Sequence, residues 1–293
     1  MTSKSNIGYA VMLHGGAGAR AGRDYSEAEA HLKELAQWAS KELWAGGSAL
    51  DVVTRIVAKM ERSGKYVAGR GSAPNSAGYV EMDASVMSGP GQKAGAVAVI
   101  SDVVSPVTVA RQVMENTDHV MLAGPGALAF ARSQGAELVE NPDDYYVLPV
   151  GALKEEVHGG HGTVGAVALD LKGRLAGATS TGGTYGKLEG RVGDSPLIGP
   201  GTWADDSIAI SCTGAGEQFI RSGGAAAVAW RYRSGLSLND SVNGMLDDVK
   251  RMGGDGGLIA VTAKGEMAAV YNSEGMKCSS ASTREPASAK TFW

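Results

Sequence analysis

The arrangement in this chain best suited to chemistry is Gly162-Thr163, where a threonine opens an apolar run through Val-Gly-Ala-Val-Ala-Leu to Asp170 directly after a glycine. A threonine hydroxyl is a weak nucleophile at neutral pH. A free α-amino group on the same residue, with a pKa of roughly 7.7–8.0, can act as its general base, so no separate histidine is needed. The amine exists only if the bond before Thr163 is cut. Attack of the Thr163 hydroxyl on the Gly162 carbonyl, an N-to-O acyl shift followed by hydrolysis, would cut it, and glycine at 162 tolerates the strained backbone that this attack requires. A second candidate is Thr213-Gly214, lying between a buried apolar run and a helix. A hydroxyl and backbone amides at such a junction can face a developing negative charge.

Other patterns compete for the glycines. Gly16-Ala-Gly18-Ala-Arg-Ala21 and Gly124-Pro-Gly126-Ala-Leu-Ala129 both satisfy the G-x-G-x-x-A form of a dinucleotide-binding turn. The first lacks an immediately following helix, and neither leads to a strand ending in an acidic residue about 20 residues on. The five histidines, His14, His31, His119, His158 and His161, form no metal-ligand spacing. Cys212 and Cys278 are too few for a disulfide framework and read as small buried hydrophobes.

These residues need elements to hold them. A strand is expected at Tyr9–Leu13, stopping at the glycine turn 14–18. Ser26 with Glu29 reads as the capping box of a helix bearing Leu32, Leu35, Trp38 and Ala39, and Ser48 with Asp51 caps a second, with Val52, Val53, Ile56, Val57 and Met60 on one stripe. Residues 66–100 read as an antiparallel meander. Helices follow at 105–114 and 126–134 with a short strand at 119–122 between them, and 136–162 reads as a long surface connection. Beyond it, Thr163–Asp170 and Leu175–Thr181 form a hairpin turning at Lys172-Gly173. Then come a strand at 208–212, helices near 217–231 and 237–252, and strands at 258–262 and 267–271. Runs of strands and runs of helices, without strict alternation, predict an α+β fold with helices layered on two largely antiparallel sheets.

The chain has 293 residues, 43 of them glycine, with no three-residue period. That excludes collagen and points to a folded protein with many special backbone positions. Its net charge of −4 is spread without a basic patch, so neither nucleic acid nor a membrane surface is an expected partner, and a small molecule or peptide is. No apolar run reaches the ~18 residues of a membrane span, and the first ten residues lack the core of a secretory signal, leaving the cytoplasm as the expected location.

In chain order, His14-Gly-Gly-Ala-Gly18, Met82-Asp-Ala-Ser-Val-Met87, Gly162-Thr163 with the strand to Asp170, Thr179-Ser-Thr-Gly-Gly183, Gly190-Arg-Val-Gly-Asp-Ser-Pro196 and Ser211-Cys-Thr-Gly-Ala-Gly-Glu217 resemble the plant-type asparaginase and isoaspartyl aminopeptidase family of N-terminal nucleophile hydrolases. The resemblance implies a four-layer αββα sandwich. It also implies self-cleavage into an α-subunit, 1–162, and a β-subunit, 163–293, usually assembled as a dimer of αβ heterodimers. Thr163 would then be nucleophile and base, Thr181 the second active-site threonine, and Thr213 with Gly214 the oxyanion hole. Arg191, Val192, Gly193 and Asp194, with the backbone of Gly214, Ala215 and Gly216, would line the pocket for a β-aspartyl dipeptide or asparagine. Arg191 suits the substrate carboxylate as a bidentate fork and Asp194 suits its ammonium. The resemblance makes His14–Gly18 a mobile loop near the cut, with His158 and His161 in a tail after it. No cofactor and no catalytic metal are implied, though relatives carry a structural sodium ion.

The chain departs from that family pattern in two places. Val67-Ala-Gly69 replaces the usual Asn-Ala-Gly or Asn-Ser-Gly, keeping open an uncleaved, inactive protein of the same fold, and the segment around Gly64, where relatives hold the cation, is short. Asp205-Asp206, if they border the pocket, would favour a basic leaving residue.

Overall fold

The computed structural model describes residues 8–152 and 162–293. In chain order the elements are β1 (Ala10–His14), α1 (Ser26–Trp44), α2 (Ala49–Ser63), β2 (Met82–Ser88), β3 (Ala94–Ile100), α3 (Pro106–Asn116), β4 (Met121–Ala123), α4 (Gly124–Ser133), α5 (Pro142–Tyr145), β5 (Thr163–Leu169), β6 (Leu175–Thr181), β7 (Thr202–Ala204), β8 (Ile208–Gly214), α6 (Gly216–Ser222), α7 (Gly224–Arg233), α8 (Leu238–Arg251), β9 (Gly256–Thr262), β10 (Met267–Tyr271), β11 (Cys278–Ser282) and β12 (Ser288–Lys290). The fold is α+β, as the pattern of runs predicts.

Eight strands form one sheet in the order β12-β11-β1-β5-β6-β2-β3-β4, antiparallel except where β4 runs parallel to β3. Four more form a second antiparallel sheet, β10-β9-β8-β7. Alternation along the central strands divides the core. Val11 and Leu13 of β1 and Val164, Ala166 and Ala168 of β5 face the stripes of α1, α2 and α3, including Leu32, Leu43, Ile56, Met60 and Val107. Ala10, Met12, Val167 and Leu169 point the other way and meet Ala209, Ile259 and Val261 of the second sheet. The outer face of that sheet packs on Phe219, Val228, Met245 and Val249 of α6, α7 and α8. Burial on both faces explains why β5 and β6 consist of small and β-branched residues.

Helix starts are only partly as expected. Ser48 caps α2, its side chain accepting from Asp51 N at 3.1 Å, and the helix ends at Gly64 with φ 68°. The capping box at Ser26 does not form. The helix begins at Ser26 itself, and Asp24 Oδ1 accepts the Ser26 N–H at 2.8 Å. The meander expected over 66–100 is confined to β2 and β3. Before them the chain makes a tight turn at Gly69, φ 55°, where any side chain would run into the Glu61 backbone within about 2.5 Å. Three strands were not anticipated: β7, β11 and β12.

Glu61 couples two helices. Its buried carboxylate accepts from Val107 N at 3.0 Å and Ser105 Oγ at 2.6 Å, capping α3 where Ser105, its own N-cap residue, does not. Burial raises this carboxyl from the ordinary 4.5 to about 7 against those donors, so its stabilising effect is complete below about 4.5 and fades as pH rises through 7. Glu61→Ala, which leaves both donors unmatched, is expected to lower stability by about 1–3 kcal/mol, read as a lower Tm.

Candidate active site

The hairpin of β5 and β6 sets Thr163 opposite Thr181 in register. Thr163 is 5% exposed; its Oγ1 donates to Thr181 Oγ1 at 3.3 Å, Thr181 Oγ1 donates to the Gly162 carbonyl at 3.1 Å, and Gly183 N donates back to Thr181 Oγ1 at 2.9 Å. One hydroxyl thus polarises the carbonyl of the bond before Thr163 while touching the hydroxyl that would attack it. A side chain at position 162 would lie 2.5 Å from Val67 Cγ2, so this junction accommodates only glycine. Gly16, with φ 96°, approaches from the other side: a β-carbon there would sit 3.0 Å from Gly162 Cα. The glycine loop does lie beside the junction, but it is tethered. Gly15 N donates to Lys277 O and Lys277 N to Gly16 O.

His14 plays a part that its spacing in the sequence did not suggest. Fully buried, it lies with Nδ1 3.1 Å from the Thr163 carbonyl and Nε2 2.9 Å from Ser211 Oγ. Burial lowers its pKa to about 3, the Thr163 contact opposing and the Lys277 charge assisting, so the ring is neutral. A carbonyl only accepts, so Nδ1 carries the proton and Nε2 accepts from Ser211. Hydroxyl contacts continue inward between the sheets: Ser211 to Thr179 at 2.7 Å, Thr179 to Thr202 at 2.5 Å, Thr202 to Ser85 at 2.8 Å, and Ser85 to Ser195 O at 2.6 Å. With acceptors at both ends, four hydroxyl protons serve five contacts, so one of them is a packing contact rather than a hydrogen bond. The row of contacts leads from the backbone of Thr163 to the residue following Asp194.

A small cleft gathers Thr163, Thr181, Arg191, Gly193, Asp194 and Gly214, with Gly162 also on its wall. Its free space is about 10 Å³, room for roughly one water. Asp194 is 3% exposed, and its Oδ2 has no hydrogen-bond partner among the described residues. Burial raises this carboxyl to about 7, with the Arg191 charge opposing. Arg191 does not pair with it. The Arg191 fork donates from Nε and Nη2 to Glu217 Oε1 and Oε2, both at 2.9 Å, so the α6 residue Glu217 orients the guanidinium. Glu217 closes one of the sequence motifs yet was not anticipated as a site residue, because its partner lies 26 residues away.

Thr213 is fully buried at the end of β8; its hydroxyl accepts from Ala17 N at 3.3 Å and makes no other hydrogen bond among the described residues, so its proton is available. Gly214 has φ 137°, and a β-carbon there would meet Asp255 O at 2.4 Å. Val192, Thr213, Ala215 and Gly216 are not on the cleft wall, so of the two expected oxyanion residues only Gly214 lines it. Ala215 N donates to Asp255 O, while Gly216 backs the site so closely that a β-carbon would lie 3.1 Å from Arg191 Nη2 and Asp194 Oδ1.

Asp205 belongs to a different region. It accepts from Trp203 Nε1, Ser207 N and Ile208 N in the β7–β8 turn. Thr213 is at the other end of β8, about 17 Å away at ~3.3 Å per residue. The turn's carboxylates do not border the cleft, which removes the basis for a basic leaving residue. The dinucleotide turns fare no better: β1 has antiparallel neighbours on both sides, and after α4 no further strand extends from β4. Among the described residues no three His, Cys, Asp or Glu cluster as a metal site. Around Gly64 the Met60, Lys65 and Tyr66 carbonyls accept from Ser63 Oγ, Val150 N and Ala68 N, so these three oxygens are already engaged. His158 and His161 lie outside the described residues, and no described helix is long and apolar enough to cross a membrane.

The sequence model of the asparaginase family matches residues 7–156 and 143–289. The chain is 44% identical over 290 residues to an isoaspartyl peptidase of Salmonella typhimurium, covering 91% of this chain and 93% of that protein, and 43% identical over 291 residues to an isoaspartyl peptidase of Escherichia coli, covering 91% and 90%. A probable isoaspartyl peptidase/L-asparaginase of Arabidopsis thaliana is 36% identical, covering 92% and 94%. Motifs, matched span and relatives agree: the chain belongs to the asparaginase family.

Proposed function

We propose that this protein hydrolyses β-aspartyl dipeptides and L-asparagine after cutting itself between Gly162 and Thr163. The observation that carries the reading is Thr181 Oγ1, which touches both the Thr163 hydroxyl and the Gly162 carbonyl. In the self-cleavage step, Thr163 Oγ attacks the Gly162 carbonyl carbon, the C–N bond breaks, and the acyl group passes to oxygen. That shift frees the Thr163 amine, which takes up the hydroxyl proton; water then hydrolyses the ester, restoring the Thr163 hydroxyl and giving Gly162 a carboxylate, which leaves fragments 1–162 and 163–293, the latter of 131 residues.

In turnover the amine takes the proton from Thr163 Oγ, which attacks the substrate's side-chain carbonyl. Thr213 Oγ and Gly214 N face the resulting oxyanion, the amine returns its proton to the leaving nitrogen, and water releases aspartate from the ester. Asp194 receives the substrate ammonium, and Arg191, held by Glu217, its α-carboxylate. No cofactor enters this scheme.

The three cores, one between the sheets and one outside each, support a four-layer sandwich of the N-terminal nucleophile type. Two buried, unpaired cysteines suit the cytoplasm, and assembly as a dimer of αβ units rests on the family. The reading is tested by mass analysis of aged protein alongside aspartate release from β-Asp-Leu and asparagine. Two fragments, the smaller beginning at Thr163, with aspartate released, are expected. A single chain of 30.0 kDa that releases none overturns it, as Val67 beside Gly162 would have it if scission is blocked.

A further inference from the structure

Gly162 is a partition. On one side is the cleft with Asp194; on the other is a cavity of about 500 Å³, to which Gly162 and Val67 also contribute wall. Four cations, Arg20, Arg23, Lys65 and Lys277, line this cavity, and no acidic residue among the described ones does. Lys65 is engaged by Glu27, and Arg23 Nη1 donates to Gly151 O. Lys277 differs from both. It is 7% exposed, its ammonium makes no hydrogen bond or ion pair among the described residues, and it lies over the face of Tyr25, 5.0 Å from the ring centroid. A buried ammonium without a counter-ion carries a desolvation cost that a bound carboxylate would offset. Burial lowers its pKa to about 8, so it is still predominantly charged at pH 7.

The cleft of the uncut chain holds about one water, so an aspartyl group bound by Asp194 and Arg191 requires Gly162 to withdraw after the cut, which joins the cleft to the cavity where the residue leaving from Thr163 then lies. Resting on the hydrolase reading, we propose that the cavity is the leaving-residue subsite and that it selects anionic leaving residues, β-Asp-Glu over β-Asp-Leu over β-Asp-Lys. Every β-aspartyl dipeptide brings one α-carboxylate to this place. Lys277 is matched by that group, and Arg20, exposed at the rim with no side-chain partner among the described residues, is available to a second carboxylate. A leaving lysine would bring a further positive charge beside Lys277 and Arg20.

The test is kcat/KM for the three dipeptides in the wild type, in Lys277→Met, which keeps the apolar stem, and in Arg20→Ala, which alters only an exposed side chain. The wild type is expected to favour β-Asp-Glu over β-Asp-Lys by about 10-fold or more, a difference of ~1.4 kcal/mol, mainly in KM. Either substitution should shrink that ratio, Lys277→Met the more. A wild-type ratio near one or reversed, or a ratio untouched by both substitutions, overturns the subsite while leaving the hydrolase intact. Absence of turnover with all three dipeptides overturns the hydrolase reading, and the subsite with it. Should Lys277→Met fail to fold, the wild-type ratio and Arg20→Ala decide.

Discussion

Thr163→Ala is expected to give one uncut chain of 30.0 kDa and to reduce release of aspartate from β-Asp-Leu by about 10⁴-fold or more. The substitution removes the attacking oxygen from both reactions, and with no cut the amine that serves as base never forms. The rest of the junction survives it. Thr181 still donates to the Gly162 carbonyl, and His14 still holds the backbone carbonyl at 163, so misplacement of neighbours does not explain the loss. Thr163→Ser, which keeps the hydroxyl, should cut and turn over measurably. A Thr163→Ala protein that still splits before residue 163 would show that another group attacks, and the proposed mechanism would fall.

The second large effect is at Asp194, where function and stability should move in opposite directions. Asp194→Asn keeps the shape but removes the charge awaiting the substrate ammonium; losing a buried charge pair of about 2–5 kcal/mol lowers kcat/KM by about 30- to 5,000-fold, chiefly through KM. The empty wild-type site holds this carboxyl at about 7 rather than 3.8 because burial penalises its charged form. The fold therefore binds the proton more tightly than the unfolded chain does. The associated stability is complete below about 3.8 and lost as pH rises through 7, up to about 4 kcal/mol in all. Asparagine carries no such charge, so at pH 8 the variant should melt above the wild type although it has lost its activity. Glu61 titrates in the same direction in both proteins, and their difference isolates Asp194. A variant that melts no higher than the wild type at pH 8 would contradict the burial argument.

Much of the candidate site was legible because its signals are local. Glycine before threonine, a run of small β-branched residues and a Lys-Gly turn mark the β5–β6 hairpin, and that hairpin alone brings Thr163 and Thr181 together. Ser48 and Asp51 mark the start of α2 because a cap acts within three residues. What escaped depends on distance along the chain. The partners of His14 are 149 and 197 residues away, so no spacing rule could reveal its role. The segment Cys278-Ser-Ser-Ala-Ser282 has no apolar alternation and becomes a strand because β1 offers it an open edge. Asp205 and Asp206 are close in sequence to the start of β8, yet Thr213 and Gly214 lie at its other end, and only the fold reveals which end borders the candidate site.

The strand order of the large sheet has a consequence for the molecularity of folding. β1 lies between β11 and β5, and β2 pairs with β6, so segments from the two sides of Gly162–Thr163 alternate across the sheet. The proposed cut would turn three strand-to-strand seams into contacts between separate polypeptides, and neither piece would retain the sheet alone. The uncut chain reaches this arrangement in a first-order process, and the attack geometry exists only after the sheet has formed, so the proposed scission would report a completed fold. A cut protein, once denatured, would have to find its other half by collision, at a rate set by concentration, and its native state would be easier to leave than to regain.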